Sequence, residues 1–378
     1  MTTLAKTSPL YTPLCERLNI DVPIILAGMG TASGPDLSAA VSNAGGLGVL
    51  GCTGQAPEEM RENIRKTKAL TDRPFGVDII LPVQMGHDPV TWAEILTKIP
   101  EEHKEYVRQL QKELGIDEIT PEQAQKYFAG RPALGTGVDE QIDVILDEKV
   151  AVFASGLGSP GFMVERAHAQ GMAVMSVVGT VRAAQKCVGD GVDVIVAQGY
   201  DGGGHTGQIG TFVLIPQIVD AVSPVPVVGA GGVSDGRGLA AAIVFGCQAV
   251  WVGTRFLATN EANIPEWKKQ GIVDAKDRST LITRSYTGKP CRVIKNSWTD
   301  AWEKAPLEPL PMPLQPALVR PVVEIDGEKH RLGANLAGQG SGLVKAIQSA
   351  DEVVRELVED AEEIFDRVAS KSLEDSRP

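Results

Sequence analysis

The chain has 378 residues and a formal net charge of −12, with 43% apolar residues, 5% aromatic residues and 41 glycines. That length fits an α/β barrel of roughly 250 residues with appendages, and the acidic balance, without any cluster of Lys and Arg, excludes nucleic acid as the main partner. Five scattered cysteines without C-x-x-C spacing, Cys15, Cys52, Cys187, Cys247 and Cys291, exclude a disulfide framework and a cysteine metal centre and suit a reducing compartment. Cys187 and Cys247 fall in apolar stretches and are expected as buried thiols. No apolar run reaches the ~18 residues of a membrane span, and the first residues lack the apolar core of a secretory signal. The expectation is a cytoplasmic protein with no membrane partner.

In chain order, buried-strand and helix signals alternate. A first strand is expected at 23–27 and a short Ala-rich helix at 34–43, stopped by Gly45-Gly46. A second strand follows at 47–50. A charged helix at 57–70 has Pro57 near its start and Glu58-Glu59 at its positive end. The third strand covers 74–80.

The rhythm breaks over 81–137, which is polar, charged and punctuated by Pro82, Pro89, Pro100, Pro121 and Pro132. This is longer than an ordinary strand-to-helix connection. It reads as an insertion over the catalytic end with helices at 101–114 and 120–128; a solvated decoration is the alternative.

Alternation resumes with a helix at 139–148, a fourth strand at 150–154, a helix at 160–170 and a fifth strand at 173–178. A helix at 180–188, a sixth strand at 192–197 and a helix at 211–222 follow. The seventh strand at 225–229, a helix at 235–245 and the eighth strand at 249–252 complete the series, with a helix near 260–269 closing the cycle. After 276 the composition shifts. Residues 306–321 are proline-rich and expected extended. Ala337-Gly-Gln-Gly-Ser-Gly342 leads into a helix, 351–367 is amphipathic and acidic, and the last residues read as frayed.

Eight strand–helix units predict a TIM (β/α)8 barrel, an α/β fold, with a helical insertion after the third strand and a C-terminal extension. An open doubly wound sheet would carry an early dinucleotide fingerprint, which is missing. The expected parts are a first barrel segment at 1–80, the insertion at 81–137, a second barrel segment at 138–272 and an extension at 273–378 packing on the barrel.

The chemistry concentrates at strand ends. His205 lies in Gln198-Gly-Tyr-Asp-Gly-Gly-Gly-His-Thr-Gly207, directly after the sixth strand. Three consecutive glycines, among them Gly203 and Gly204, let backbone approach a flat or charged ligand. The imidazole follows where α/β barrels place catalytic groups. The seventh strand ends in Gly231-Gly232, with Ser234-Asp235 capping the next helix, and the eighth runs through Trp251-Val252 into Gly253-Thr254. Loops after strands seven and eight hold a phosphate in many barrels, through main-chain N–H groups and a helix N-terminus. After the first strand, Ala27, Gly28 and Met29 leave room for a planar ring. Asp78 could accept from a ring N–H, and Gln198 could hydrogen-bond a ring edge. Read singly, Met29 is ordinary core, and Asp78 and Gln198 are structural turn residues.

Together these segments resemble the nitronate monooxygenase family, formerly the 2-nitropropane dioxygenases, which are FMN-dependent barrels. The likeness rests on Ala27-Gly-Met-Gly30, Ser42-Asn-Ala-Gly-Gly-Leu-Gly-Val-Leu-Gly51, the His205 loop, Val228-Gly-Ala-Gly-Gly-Val233 and Gly253-Thr-Arg-Phe-Leu-Ala-Thr-Asn-Glu261. Weaker matches lie in Thr287-Gly-Lys-Pro290 and Ala337-Gly-Gln339. FMN-dependent enoyl-acyl-carrier-protein reductases share most of the pattern. The resemblance implies FMN, with Gly232 and the segment from Trp251 to Thr254 near its phosphate and Gln198 and Gly203 near its ring and ribityl chain. Two departures stand out: Asp78 occupies a position where the family usually carries Asn, and the usual Glu-Ala-Gly-Gly-His is here Asp201-Gly-Gly-Gly-His205.

The leading expectation is oxidation of an alkyl nitronate by O₂ to a carbonyl compound and nitrite, without metal. His205 acts as a base on the neutral nitroalkane or as a cation holding the nitronate. A second reading is an NAD(P)H-dependent reductase of an enone, quinone or enoyl thioester. A third is an FMN-binding protein without catalysis. A small-molecule substrate and O₂ are the expected partners, with NAD(P)H in the second reading and a homo-oligomer compatible with all three.

Overall fold

The computed structural model describes residues 4, 6–81, 91–133, 137–325, 329 and 331–375. Pro82, Pro89 and the last three residues lie outside the described set.

Eight parallel strands form the barrel: β1 Ile24–Leu26, β2 Gly48–Gly51, β3 Phe75–Ile80, β4 Val152–Gly156, β5 Ala173–Val178, β6 Val194–Gln198, β8 Val227–Ala230 and β9 Ala249–Val252. The remaining strand in that count, β7 Gly204–His205, belongs to a second sheet. The barrel order is β1-β9-β8-β6-β5-β4-β3-β2, and a parallel bridge between Ile25 and Leu47 closes the ring. The expected TIM barrel is therefore present.

Strand alternation builds two cores. Inward side chains Ile25, Val49, Val152, Ala154, Met175, Val194, Val196, Val228 and Trp251 fill the cylinder. Its lower end is plugged by Leu14, Cys15 and Leu18 of α1 (Pro13–Leu18), tied down where Thr12 Oγ1 donates to the Gln248 carbonyl at 2.6 Å. Outward side chains such as Ile24, Val77, Phe153 and Ile195 pack against the surrounding helices. These are α2 Pro35–Asn43, α3 Pro57–Leu70, α7 Val138–Asp147, α8 Gly161–His168, α9 Val181–Gly189, α10 Thr211–Val222 and α11 Gly236–Val244. Thr180 and Asp235 cap α9 and α11 by accepting from main-chain N–H groups, as their positions predict.

The insertion contributes α4 Trp92–Thr97, α5 Glu101–Leu114 and α6 Pro121–Phe128. It is not a solvated decoration. Its apolar faces pack on α15 (Leu314–Ile325) of the C-terminal extension, and Val107 and Leu110 share a core with Val293 and Trp298. The proline-rich stretch is a correction: it stays irregular only as far as Pro313 and then becomes α15. Pro316 sits in the first turn, where a missing N–H costs nothing, and burial of Ala317, Val319, Val322 and Val323 outweighs Pro321 inside the helix. The extension also holds α14 Ser297–Glu303 and ends in α16 Ala350–Asp375, which lies on α11 and α2. Between barrel and extension run α12 Thr254–Leu257 and α13 Glu266–Val273, so the closing helix lies later than the expected 260–269. No described helix is long and apolar enough to cross a membrane.

Candidate active site

The carboxyl ends of the barrel strands carry the residues singled out above, and contacts link them into an arc. A Cβ on Gly28 would fall 2.3 Å from the Asp78 side chain, so only glycine lets that carboxyl fold over the chain after β1. Next to it, Met29 Sδ and Ala27 Cβ lie 3.3 and 3.4 Å from where a Cβ on Gly253 would sit. The Thr254 hydroxyl accepts from Gly338 N at 2.9 Å, which leaves its proton free to donate. Residues 337–338 in turn press on Gly203, where a Cβ would meet backbone at 2.7 Å. The arc ends at Asp201, 3.5 Å from the Cβ position of Gly232, with Asp201 Oδ2 accepting from Thr211 N at 3.0 Å.

His205 is not on a free loop. With Gly204 it forms β7, paired antiparallel with β11 (Cys291–Ile294), which pairs with β10 (Thr280–Thr283). Nothing in the local sequence announces a two-residue strand whose partner lies in the C-terminal extension. The ring is half-buried, and Nε2 stands 3.1 Å from Thr287 Oγ1. Thr287 Oγ1 also donates to the Lys289 carbonyl at 3.1 Å. A carbonyl only accepts, so the single hydroxyl proton is committed to it, and Nε2 must be the donor to Oγ1. Nδ1 then carries the lone pair. Burial, and secondarily the Lys289 charge, hold the imidazole below its ordinary pKa, so it is neutral near pH 7. Thr287 and Lys289 were missed as site residues, although Thr287-Gly-Lys-Pro290 carried a weak resemblance.

Gln198 secures the same loop from the other side: its Nε2 donates to the His205 carbonyl at 2.7 Å. Arg292 lies beneath, its guanidinium 4.5 Å from the Tyr200 ring centroid and donating to the Tyr200 carbonyl at 3.1 Å.

The candidate anion cradle is built from main chain. Gly231 and Gly232 have φ of +94° and +81°, which side chains rarely adopt. Their N–H groups, and that of Gly253, donate to no main-chain or side-chain acceptor among the described residues. Thr211 Oγ1, buried beside Gly231, also lacks a partner. Unused donors in glycine turns at two neighbouring strand ends fit the phosphate of a cofactor. Trp251 points into the barrel and Val252 outward into the helix layer, so only their main chain can serve such a cofactor.

Asp78 occupies a different kind of place. It shares its inward layer with Gly51 and Ala154, paired with it on β2 and β4, and with Met175 of β5, paired with Ala154. Its side chain is 7% exposed, and among the described residues it has no hydrogen-bond or ion-pair partner. Desolvation pushes its pKa up to about 7.

This is the working end of an α/β-barrel enzyme. The model of the nitronate monooxygenase family matches residues 11–360. A Mycobacterium tuberculosis protein provisionally named a monooxygenase is 39% identical over 93% of this chain and 96% of its own length. A probable nitronate monooxygenase of Staphylococcus aureus strain Newman is 34% identical over 76% of this chain and 79% of its own length. Among solved structures, nitroalkane oxidase from Streptomyces ansochromogenes superposes with a TM-score of 0.78 at 28% identity, covering 94% of this chain and 99% of its own. FabK from Thermotoga maritima gives a TM-score of 0.74 at 30% identity, covering 95% and 99%. The chain belongs to the nitronate monooxygenase family. It is a flavin-dependent oxidoreductase.

Proposed function

We propose that the protein binds FMN and uses it to oxidise alkyl nitronates with O₂, giving a carbonyl compound and nitrite. The observation that carries this reading is His205: an imidazole with one nitrogen committed to Thr287 and the other without a partner among the described residues, on the glycine loop after β6. When bound, FMN supplies the electron-transfer capacity that no side chain here provides.

The protein's share is positioning and proton handling. Free N–H groups of Gly231, Gly232 and Gly253, with the Thr254 hydroxyl, would hold the phosphate. Ala27, Gly28, Met29 and Asp78 would line the ring, and Gln198, Gly203 and Gly204 its other edge. Nδ1 of His205 would take the α-proton of a neutral nitroalkane. The depressed pKa favours this base role over the cation role, because an imidazolium here lacks a carboxylate partner among the described residues.

A second reading, an NAD(P)H-dependent reductase acting on an enone, quinone or enoyl thioester, draws support from the likeness to FabK and from a relative in Rhodococcus jostii named as a carboxyl-CoA dehydrogenase, 32% identical over 78% of this chain. Anaerobic titration of the flavin-loaded protein separates the two. Bleaching by nitronate, with nitrite released on admitting air, is the expected result. Bleaching by NADH or NADPH with no response to nitronate establishes the reductase instead.

A further inference from the structure

A carboxyl group buried in an apolar layer, without a donor, is costly as an anion and must find either a proton or a ligand. Asp78 is in that position. Its neighbours across the sheet, Gly51, Ala154 and Met175, offer no hydrogen bond, and Gly28 passes directly beneath it. Among the described residues, the titratable neighbour coupled to it is Cys52, just past β2, whose main-chain N–H donates to the Asp78 carbonyl at 2.9 Å. Burial and the Asp78 charge drive that thiol far upward, so it stays neutral and cannot compensate a carboxylate. From the chain after β1, Ala27, Gly28 and Met29 bring no charge, and neither do the β4 and β5 residues paired in this layer.

Resting on the FMN reading, we propose that Asp78 recognises the cofactor as a neutral carboxylic acid, so that FMN and one proton are taken up together. A neutral carboxyl presents a donor and an acceptor side by side, matching the adjacent N–H and C=O groups on the pyrimidine edge of a flavin. A carboxylate can only accept, and would face a carbonyl oxygen with a negative charge. The carboxyl's raised pKa is consistent with this: the acid form is already well populated near neutrality. The Asp78→Asn amide offers the same donor–acceptor pair at every pH.

The test is FMN affinity of the flavin-stripped protein, read by quenching of FMN fluorescence between pH 5.5 and 8.5, for native protein and Asp78→Asn. Riboflavin, which lacks the phosphate, serves as a parallel probe free of phosphate titration. The native Kd is expected to rise toward tenfold per pH unit above about pH 7, and the Asn variant to hold a flat profile with riboflavin. Calorimetry of the native protein at pH 8 in two buffers of different ionisation enthalpy should register uptake of about one proton per FMN, a measurement needing no variant. Parallel pH profiles for native and Asn proteins, or no proton uptake, overturn the proposal while leaving FMN binding intact. Absence of FMN and riboflavin binding at every pH overturns the FMN reading itself.

Discussion

The hydroxyl of Thr287 determines which nitrogen of His205 is left for the base role proposed for it. Removing it in Thr287→Val leaves the ring free to exchange tautomers. The loss of one hydrogen bond of about 1 kcal/mol should lower kcat/KM for a neutral nitroalkane several-fold, with FMN affinity unchanged and Thr287→Ser restoring the rate. Lys289 acts on the same ring through charge. The folded pKa lies below the usual His value, so the proposed base activity should be present above that pKa and be lost as pH falls through it. Lys289→Met removes the smaller of the two depressing causes, and the acid limb of the nitroalkane kcat/KM profile should move to higher pH. With preformed nitronate as substrate no proton need be removed, and that limb should be absent. At this scale the sequence singled out His205, because three glycines before a lone imidazole follow a buried strand at its carboxyl end. It hid Thr287, whose partner is distant in the chain and whose residue type fits any surface turn.

Among elements, the segment 337–340 matters most. Its main chain bridges the His205 loop and α12: Gln339 N donates to the Asp201 carbonyl at 2.9 Å, and Gly338 N to Thr254. Gly203→Ala would place a methyl 2.7 Å from backbone that cannot swing aside. That variant should loosen the arm, weaken FMN binding by an order of magnitude or more and lower the melting temperature, all measurable on one preparation. The barrel strands were legible because a parallel strand buried on both faces is a continuous apolar run closed by glycine. The three-stranded sheet β10-β11-β7 was not, since it joins the His205 loop to distant segments past the barrel and its shortest member has no pattern. Helix α15 was misread because prolines weigh against helix locally, and the burial that overrides them is set by insertion helices elsewhere in the sequence.

For the whole molecule, α16 closes the cylinder from outside. Val353, Val354, Leu357, Val358 and Ala361 are buried, and at Gly236 a Cβ would come within 2.3 Å of Asp360, so α16 and α11 approach backbone to backbone. Arg255 of α12, itself buried, reaches Glu356 at 3.7 Å and ties the same helix to the cradle's end of the barrel. Leu357→Ala should cost about 2–5 kcal/mol, read as a lowered urea midpoint, while the pH profile set by His205 stays where it was. The amphipathic pattern at 351–367 announced this helix, but not which side of the barrel it would cover, since periodicity fixes a face and not its partner.

The pairing of β7 with β11 divides ownership of the reaction. The cylinder supplies the imidazole; the tail supplies the neighbour that decides which nitrogen stays bare. A version severed after residue 272 would keep every barrel strand and lose the Thr287 hydroxyl that orients the His205 imidazole. Exchanging the tail for a relative's would change the partner that orients this imidazole without altering one residue of the cylinder.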